Sequence, residues 1–460
     1  MTYPPNPDYF PANMFKSHGR NHMCCIFLKC REKKDALPSQ GDVQAARDFI
    51  AWLIPKLTWH SDQLRQNEDY RRNNNDKHTL RCLFISHQGY EWLGIKEADI
   101  PTDGPRNSDD DQVDFFRWRM NSTLLRRRFE DYKLLQHIEN EKYGTKKPAI
   151  DFMLLIANDH KEQLDQAVKE IETHPAVTGR TVVKEFFKEH GTKVFSESNS
   201  EKPIGPLGFV DDISNASKPE DIWNMVKYKE PFGVNRNYES YGSFFVFRKL
   251  EVNRSRFEEL TDKLAEVLYE HNDLSIEECR RLAEAMYVGR YKNGTPLVSS
   301  QRPFPVPVDT HNNFDYEEDQ LGLRCPVHAH IRSVNDRTDG KRTPPILRRG
   351  MTYTDNPNSR YASIKGLLFI SYQSSIKFNL RPILDKMTKP SSIDALAYRD
   401  PINVPNTSKV EFPTKWGGEK KSTHEIGGRD LTKFKGGEIF FAPSRYFLEA
   451  LQTEPIHISA

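Results

Sequence analysis

The chain has 460 residues, with 67 basic and 65 acidic side chains and a formal charge of only +2. That length allows two or three domains with a substantial core, and the near-balance of charge argues against nucleic acid or an anionic membrane surface as a partner. The cysteines (Cys24, Cys25, Cys30, Cys82, Cys279, Cys325) follow no disulfide spacing, so reduced thiols are expected. Met1 to Arg20 has no apolar h-region, and the run from Met23 to Lys29 is too short to span a bilayer. The reading is a cytoplasmic protein, or one exported by a route that this sequence does not encode, with no membrane segment.

In chain order, Cys24 to Lys29 reads as a β-strand. Apolar residues at helical spacing (Ala45, Phe49, Ile50, Leu53, Ile54, Leu57) predict an amphipathic helix from Gln44 to Leu57. Leu80 to Ser86 is strand-like, and Tyr90 to Leu93 begins a short helix. Asp99 to Asp111 is a polar loop. Asp151 to Ala157 predicts a buried strand, Lys161 to Glu172 a helix, and Thr181 to Phe187 a further strand. This strand–helix–strand–strand–helix–strand rhythm predicts an α+β fold with an antiparallel sheet and helices on one face.

The second half restarts with a strand from Ser243 to Phe247. Helices follow over Arg256 to His271 and Ser275 to Val288, then strands over Gly366 to Ser371 and Gly436 to Phe441. The two halves therefore repeat one topology. A boundary suits the Pro-, Gly- and Asn-rich stretch from Glu230 to Tyr241, giving domains 1–235 and 236–460. Gln301 to Gln320 and Asp400 to Thr432 read as long loops.

The chemistry concentrates between Cys325 and Arg337, Cys-Pro-Val-His-Ala-His-Ile-Arg-Ser-Val-Asn-Asp-Arg. A helix starting after Pro326 would set His330 and Arg337 two turns apart on one face. Such a face offers an imidazole to a metal and a guanidinium to a carboxylate of the same ligand. His328 would lie on the other side, so the pair makes a single-ligand site rather than a two-histidine clamp. Haem asks for one axial imidazole, with cations for its propionates. Taken alone, His330 reads as a core or surface histidine rather than a ligand. A zinc site on Cys325 and His328 lacks a second nearby pair of ligands.

Further motifs follow the same order along the chain: Gly208-Phe-Val-Asp211-Asp212, Gly289-Arg-Tyr-Lys-Asn-Gly-Thr-Pro-Leu297, Ile346-Leu-Arg348-Arg349-Gly350, Gly366-Leu-Leu-Phe-Ile-Ser-Tyr-Gln373 and Gly436-Gly-Glu-Ile-Phe-Phe-Ala-Pro-Ser444. The set resembles the dye-decolorizing (DyP-type) haem peroxidases, with their GxxDG, CPxxAHIRxxNPR, I(L/M)RRG, GLLFxxYQ and GGEYFFxPS signatures. The resemblance implies two ferredoxin-like domains of the dimeric α+β barrel type, the first carrying the GxxDG-like motif and the second most of the haem site. It implies haem b as cofactor, hydrogen peroxide as oxidant, and phenolic or dye-like aromatic reductants oxidised in one-electron steps through a ferryl–porphyrin radical. A homodimer is the simplest assembly it suggests. The alternative on the same scaffold is a non-enzymatic haem carrier or sensor.

Residue by residue, the resemblance makes His330 the axial ligand of the haem iron and Asp211 the distal acid–base group. A turn aspartate bonded to its own backbone is the plain alternative for Asp211. A carboxylate with ordinary titration near ~3.9 favours activity in acid. Arg348 is the charge-stabilising cation. Arg349 competes for that role, but on a strand the two face opposite sides. Leu367 and Phe369 share one strand face and are expected over the distal haem surface, with ordinary core packing as the alternative. Arg337 and Arg332 are propionate candidates. A carboxylate is expected behind His330, with Asp394 and Asp400 both in range. Asp212 replaces the motif's second glycine and brings bulk and charge beside Asp211. Asp336 replaces the motif's proline, loosening the helix end.

Overall fold

The computed structural model describes residues 6–30, 37–73, 78–104, 114–118, 150–196, 199–211, 218–234, 239–305, 312–337, 344–354, 363–388, 400–403, 409–425 and 431–457. Its first half contains β1 (His22–Lys29), α1 (Gln40–Leu53), β2 (Leu80–Ile85), β3 (Phe152–Asn158), α2 (Lys161–Glu172) and β4 (Glu185–Thr192). These strands pair antiparallel in the order β2-β3-β1-β4. The second half contains β5 (Tyr241–Val252), α3 (Arg254–His271), α4 (Ile276–Val288), α5 (His330–Val334), β6 (Met351–Thr354), β7 (Ile364–Gln373), α6 (Arg381–Thr388) and β8 (Thr432–Ala442). Its order, β6-β7-β5-β8, repeats that of the first half. Each half is thus a βαββαβ ferredoxin-like unit.

The units join edge to edge where Phe441 of β8 pairs with Ile85 of β2. The outer edges also approach each other, because the Thr352 hydroxyl of β6 donates to the Thr192 carbonyl of β4. The sheet therefore curls round an interior. Met23, Cys25 and Phe27 of β1 fill it with Phe84, Leu155, Phe245, Phe247, Leu368, Ile370 and Phe440. The intervening residues Cys24, Ile26 and Leu28 face outward beneath α1 and α2. Both faces are covered, which explains why β1 reads as a continuous apolar run rather than an alternating one.

Local chemistry sets several boundaries. Ser39 caps α1 in a reciprocal box with Asp42, and Ser275 does the same for α4 with Glu278. Gly289 ends α4 at φ 95°, a conformation that favours glycine. A third cluster packs α3 and α4 against Leu297, Tyr316, Cys325, Val410 and Phe412.

Four expectations shift. The helix placed at 44–57 starts and ends earlier, because its cap is Ser39. The strand placed at 181–187 runs from Glu185 to Thr192, while Val182 and Val183 pack into the helix-covered core as loop residues. Part of the polar stretch 400–432 is an antiparallel hairpin, Lys409–Pro413 with Lys421–Glu425. Its apolar Val410 and Phe412 are anchored in the α3–α4 cluster. Finally, the helix expected after Pro326 spans only His330–Val334. Asn335 is extended at φ −148° and ψ 88°, so Arg337 does not share a helical face with His330. The boundary at 235/236 and Asp212 lie outside the described residues.

Candidate active site

His330 is the first residue of α5, and its Nδ1 lies 2.8 Å from Oδ2 of Asp400. Asp400 is completely buried, whereas the His330 side chain is 28% exposed. Asn403 Nδ2 donates to Asp400 Oδ2 at 3.0 Å, and the Ile402 N–H donates to Asp400 Oδ1 at 2.9 Å. Burial alone would push the Asp400 carboxyl up. The charge His330 carries when protonated and its hydrogen bond, with those of Asn403 and Ile402, outweigh it and hold Asp400 below the ordinary carboxylate range. An ionised Asp400 fixes the proton on Nδ1. Nε2 then has no hydrogen-bond partner among the described residues. Asp394, the other acid considered, lies outside them. His328 is fully buried with its ring edge-on to Phe412 at 4.9 Å, so the two histidines do not share a site.

Arg348 and Arg349 diverge as a strand requires. Arg348 is exposed and sits directly opposite Ser371 of β7. Ser371 shares a face with Leu367 and Phe369, so Arg348 joins that face too. Arg349 turns away and donates to the carbonyls of Asn13, Met14 and Phe15. Leu367 and Phe369 are half-buried while Leu368 and Ile370 between and beside them are buried. Leu250 pairs with Leu367 from β5 and extends the apolar face.

The turn from Gly289 to Pro296 connects the remaining groups. At its start, a Cβ on Gly289 would meet Ile331, the neighbour of His330, at 2.5 Å. Arg290 follows, buried, donating to Gly294 O at 2.7 Å and stacking over Phe314 at 5.1 Å. Burial, then the charges of Arg337 and Arg348, pull its guanidinium down to about 10. Arg337 stacks over the same Phe314 ring at 4.0 Å and donates to the Asn312 carbonyl. Two residues after Arg290, Lys292 O accepts from Val210 N at 2.9 Å, which sets exposed Asp211 beside the turn. Asp211 N in turn donates to Pro203 O at 2.8 Å. One turn thus touches the surroundings of His330, Arg337, Arg348 and Asp211.

Arg332, expected beside a propionate, holds a loop. Its guanidinium is buried and donates to Asp319 Oδ2 at 3.0 Å and Asp319 O at 2.7 Å, and lies 4.4 Å over Tyr316. Asp319 also accepts the backbone N–H groups of Leu323, Arg324 and Cys325.

The donor set fits haem. It offers one imidazole with an uncommitted Nε2 and a carboxylate behind it, arginines gathered near one ring, and a half-buried aliphatic and aromatic face. Sequence reasoning did not single out Arg290, Asn312, Phe314 or Asn403. The GRYKNGTP motif was the available signal for Arg290; nothing in the sequence marked the others.

Paired ferredoxin-like units bearing one carboxylate-backed histidine define the class as a haem-binding α+β protein. A profile of the C-terminal part of Dyp-type peroxidases matches residues 202–401. The multifunctional dye peroxidase DyP2 of Amycolatopsis sp. is 35% identical over 96% of this chain and 95% of its own. The dye-decolorizing peroxidase msp1 of Mycetinis scorodonius is 32% identical over 54% of this chain and 56% of its own. A DyP-type peroxidase structure from Anabaena sp. superposes with a TM-score of 0.78 at 27% identity, covering 97% of this chain and 94% of that one. The chain belongs to the DyP-type peroxidase family and is a haem peroxidase. No helix among the described residues is long and apolar enough to cross a membrane.

Proposed function

We propose that the chain binds haem b through His330 Nε2 and uses hydrogen peroxide to oxidise phenolic or dye-like reductants one electron at a time. The observation that carries this reading is the His330–Asp400 pair, 2.8 Å apart, with Nε2 left over for a metal. A bound haem would supply the redox chemistry, the storage of two oxidising equivalents and their release one at a time.

The chain's own residues supply the rest. Asp400 orients the His330 ring and raises its basicity as a ligand. Asp211 would take one proton of hydrogen peroxide and return it to the oxygen that leaves as water. Arg348 stabilises the negative charge that builds on that departing oxygen. Leu367 and Phe369 would wall the peroxide side of the site, admitting peroxide and excluding bulky reductants. Arg337 would hold a propionate. Large dyes then react at the protein surface, with electrons relayed through the chain.

The carrier or sensor alternative is not favoured, since the relative spanning 96% of the chain is named a peroxidase. A cytoplasmic location and a homodimer belong to the same proposal; six buried cysteines outside any disulfide support the first. The test is stopped-flow absorbance of the haem-loaded protein with one equivalent of peroxide. Wild type should lose its resting Soret band within the first seconds and recover it on adding a phenol. A band unchanged by peroxide overturns the reading.

A further inference from the structure

We propose a divalent transition-metal site on the first domain, formed by His87, Glu91 and Glu97. His87 and Glu91 lie four residues apart on the short helix His87–Trp92, so both face one side. Glu97 comes from the turn Glu97–Asp99 that follows. One imidazole nitrogen and one oxygen from each carboxylate all lie within 4.8 Å of one another.

The His87 side chain is the second observation. It is 2% exposed, packed edge-on to Phe116 at 5.6 Å. Its Nδ1 is buried and has no hydrogen-bond partner among the described residues. Leaving a buried imidazole nitrogen unbonded is costly. Nδ1 lies 3.5 Å from Glu91 Oε1, and Nε2 is 3.9 Å from Glu97 Oε1. Both separations are too long for hydrogen bonds. Donors held at ~2.0–2.2 Å from one ion stand roughly 3 Å apart, so donor atoms now within 4.8 Å of one another would draw inward to form a coordination shell. Only one ring nitrogen can face the ion, and the other carboxylate would approach the same side.

The donor set selects the metal class. One imidazole and two carboxylates suit Zn²⁺, Mn²⁺ or Co²⁺, while the nitrogen disfavours Ca²⁺ and Mg²⁺. The ligands grade from a buried histidine to carboxylates 38% and 58% exposed, so an ion enters from solvent and seats against the imidazole. Arg117 competes, because its Nη1 pairs with Glu97 Oε1 at 3.0 Å. Bound metal would tie the helix to the turn. None of these residues takes part in the haem site described above.

The test is calorimetric titration of Zn²⁺ into the haem-loaded full chain, treated beforehand with chelator. One saturable site is expected, with binding abolished in His87→Ala and weakened at least tenfold in Glu91→Gln and Glu97→Gln. Arg117→Ala should tighten binding by releasing Glu97. The two glutamine variants keep the test decisive if His87→Ala does not fold, since both positions reach solvent. Dye oxidation should be unchanged by the Glu91 substitution. Absence of a saturable site overturns the proposal, as does Zn²⁺ affinity equal to wild type in both glutamine variants.

Discussion

The Nδ1 of His330 and the Oδ2 of buried Asp400 stand 2.8 Å apart across seventy residues of chain. The carboxylate has two further donors, Asn403 and Ile402, so it stays in place when the histidine is removed. Replacing Asp400 by Ala should free the His330 ring and lower its basicity. Haem affinity should fall roughly 10–100-fold, and the reduction potential of the bound haem should rise. Haemin titration with potentiometry checks both. An unaltered potential would show that Asp400 does not act through the axial ligand.

Arg348 and Arg349 are adjacent, yet they answer to different assays. Arg348→Leu should slow reaction with peroxide by about 10²–10³-fold, the scale of losing one charge-stabilising donor, while leaving thermal stability near wild type. Arg349→Leu should do the reverse. It loses bonds to three carbonyls of the 13–15 loop and costs about 1–3 kcal/mol of stability. Equal peroxide rates in wild type and Arg348→Leu would remove Arg348 from the mechanism.

Arg332 and Arg337 separate in the same manner. Arg332→Leu leaves Asp319 buried without its ion-pair partner, so about 3–5 kcal/mol of stability should be lost, as read by denaturant unfolding. Arg337→Leu should instead weaken haem binding with a smaller change in unfolding. If Arg332→Leu unfolds like wild type but binds haem poorly, the assignments are reversed.

How much of this was visible in the sequence depends on the range of the interaction. Helices and strands with local signals were placed well: α2 falls at 161–172 as its periodicity indicates, and Ser275 caps α4. The repeated topology followed from the order of those elements. His330 stood out through its motif, and the opposite facing of Arg348 and Arg349 follows from strand geometry alone. What was illegible depends on contacts distant in sequence. Asp400 could not be chosen over Asp394, because the choice rests on a tertiary hydrogen bond. The early end of the helix at Val334 was hidden because no glycine or proline marks it, although Asn335 is extended. Arg332 looked like a propionate ligand because its partner, Asp319, belongs to a loop whose path periodicity does not reveal.

Acid should destabilise the protein through His60. Its ring is buried against Phe15. Burial, then the charge of Lys16, takes it from the usual range down to about 4. The folded state therefore stays neutral at this position while the unfolded chain takes up a proton below pH ~6.5. The stability is fully present above that pH and is lost as pH falls toward 4. Over that window the slope is about 1.4 kcal/mol per pH unit for one proton. His60→Leu should flatten the fall in unfolding midpoint between pH 6.5 and 4.5. Parallel curves for variant and wild type would assign the proton uptake elsewhere.

The central claim is that His330 ligates haem iron, and the direct measurement is haemin titration of wild type and His330→Ala followed at the Soret band. Wild type should saturate at one equivalent with the spectrum of a histidine-ligated ferric haem. The variant should bind at least about a hundredfold more weakly, or show a spectrum without nitrogen ligation, with imidazole in solution restoring the band. A variant that matches wild type in both spectrum and affinity would contradict the account at its base.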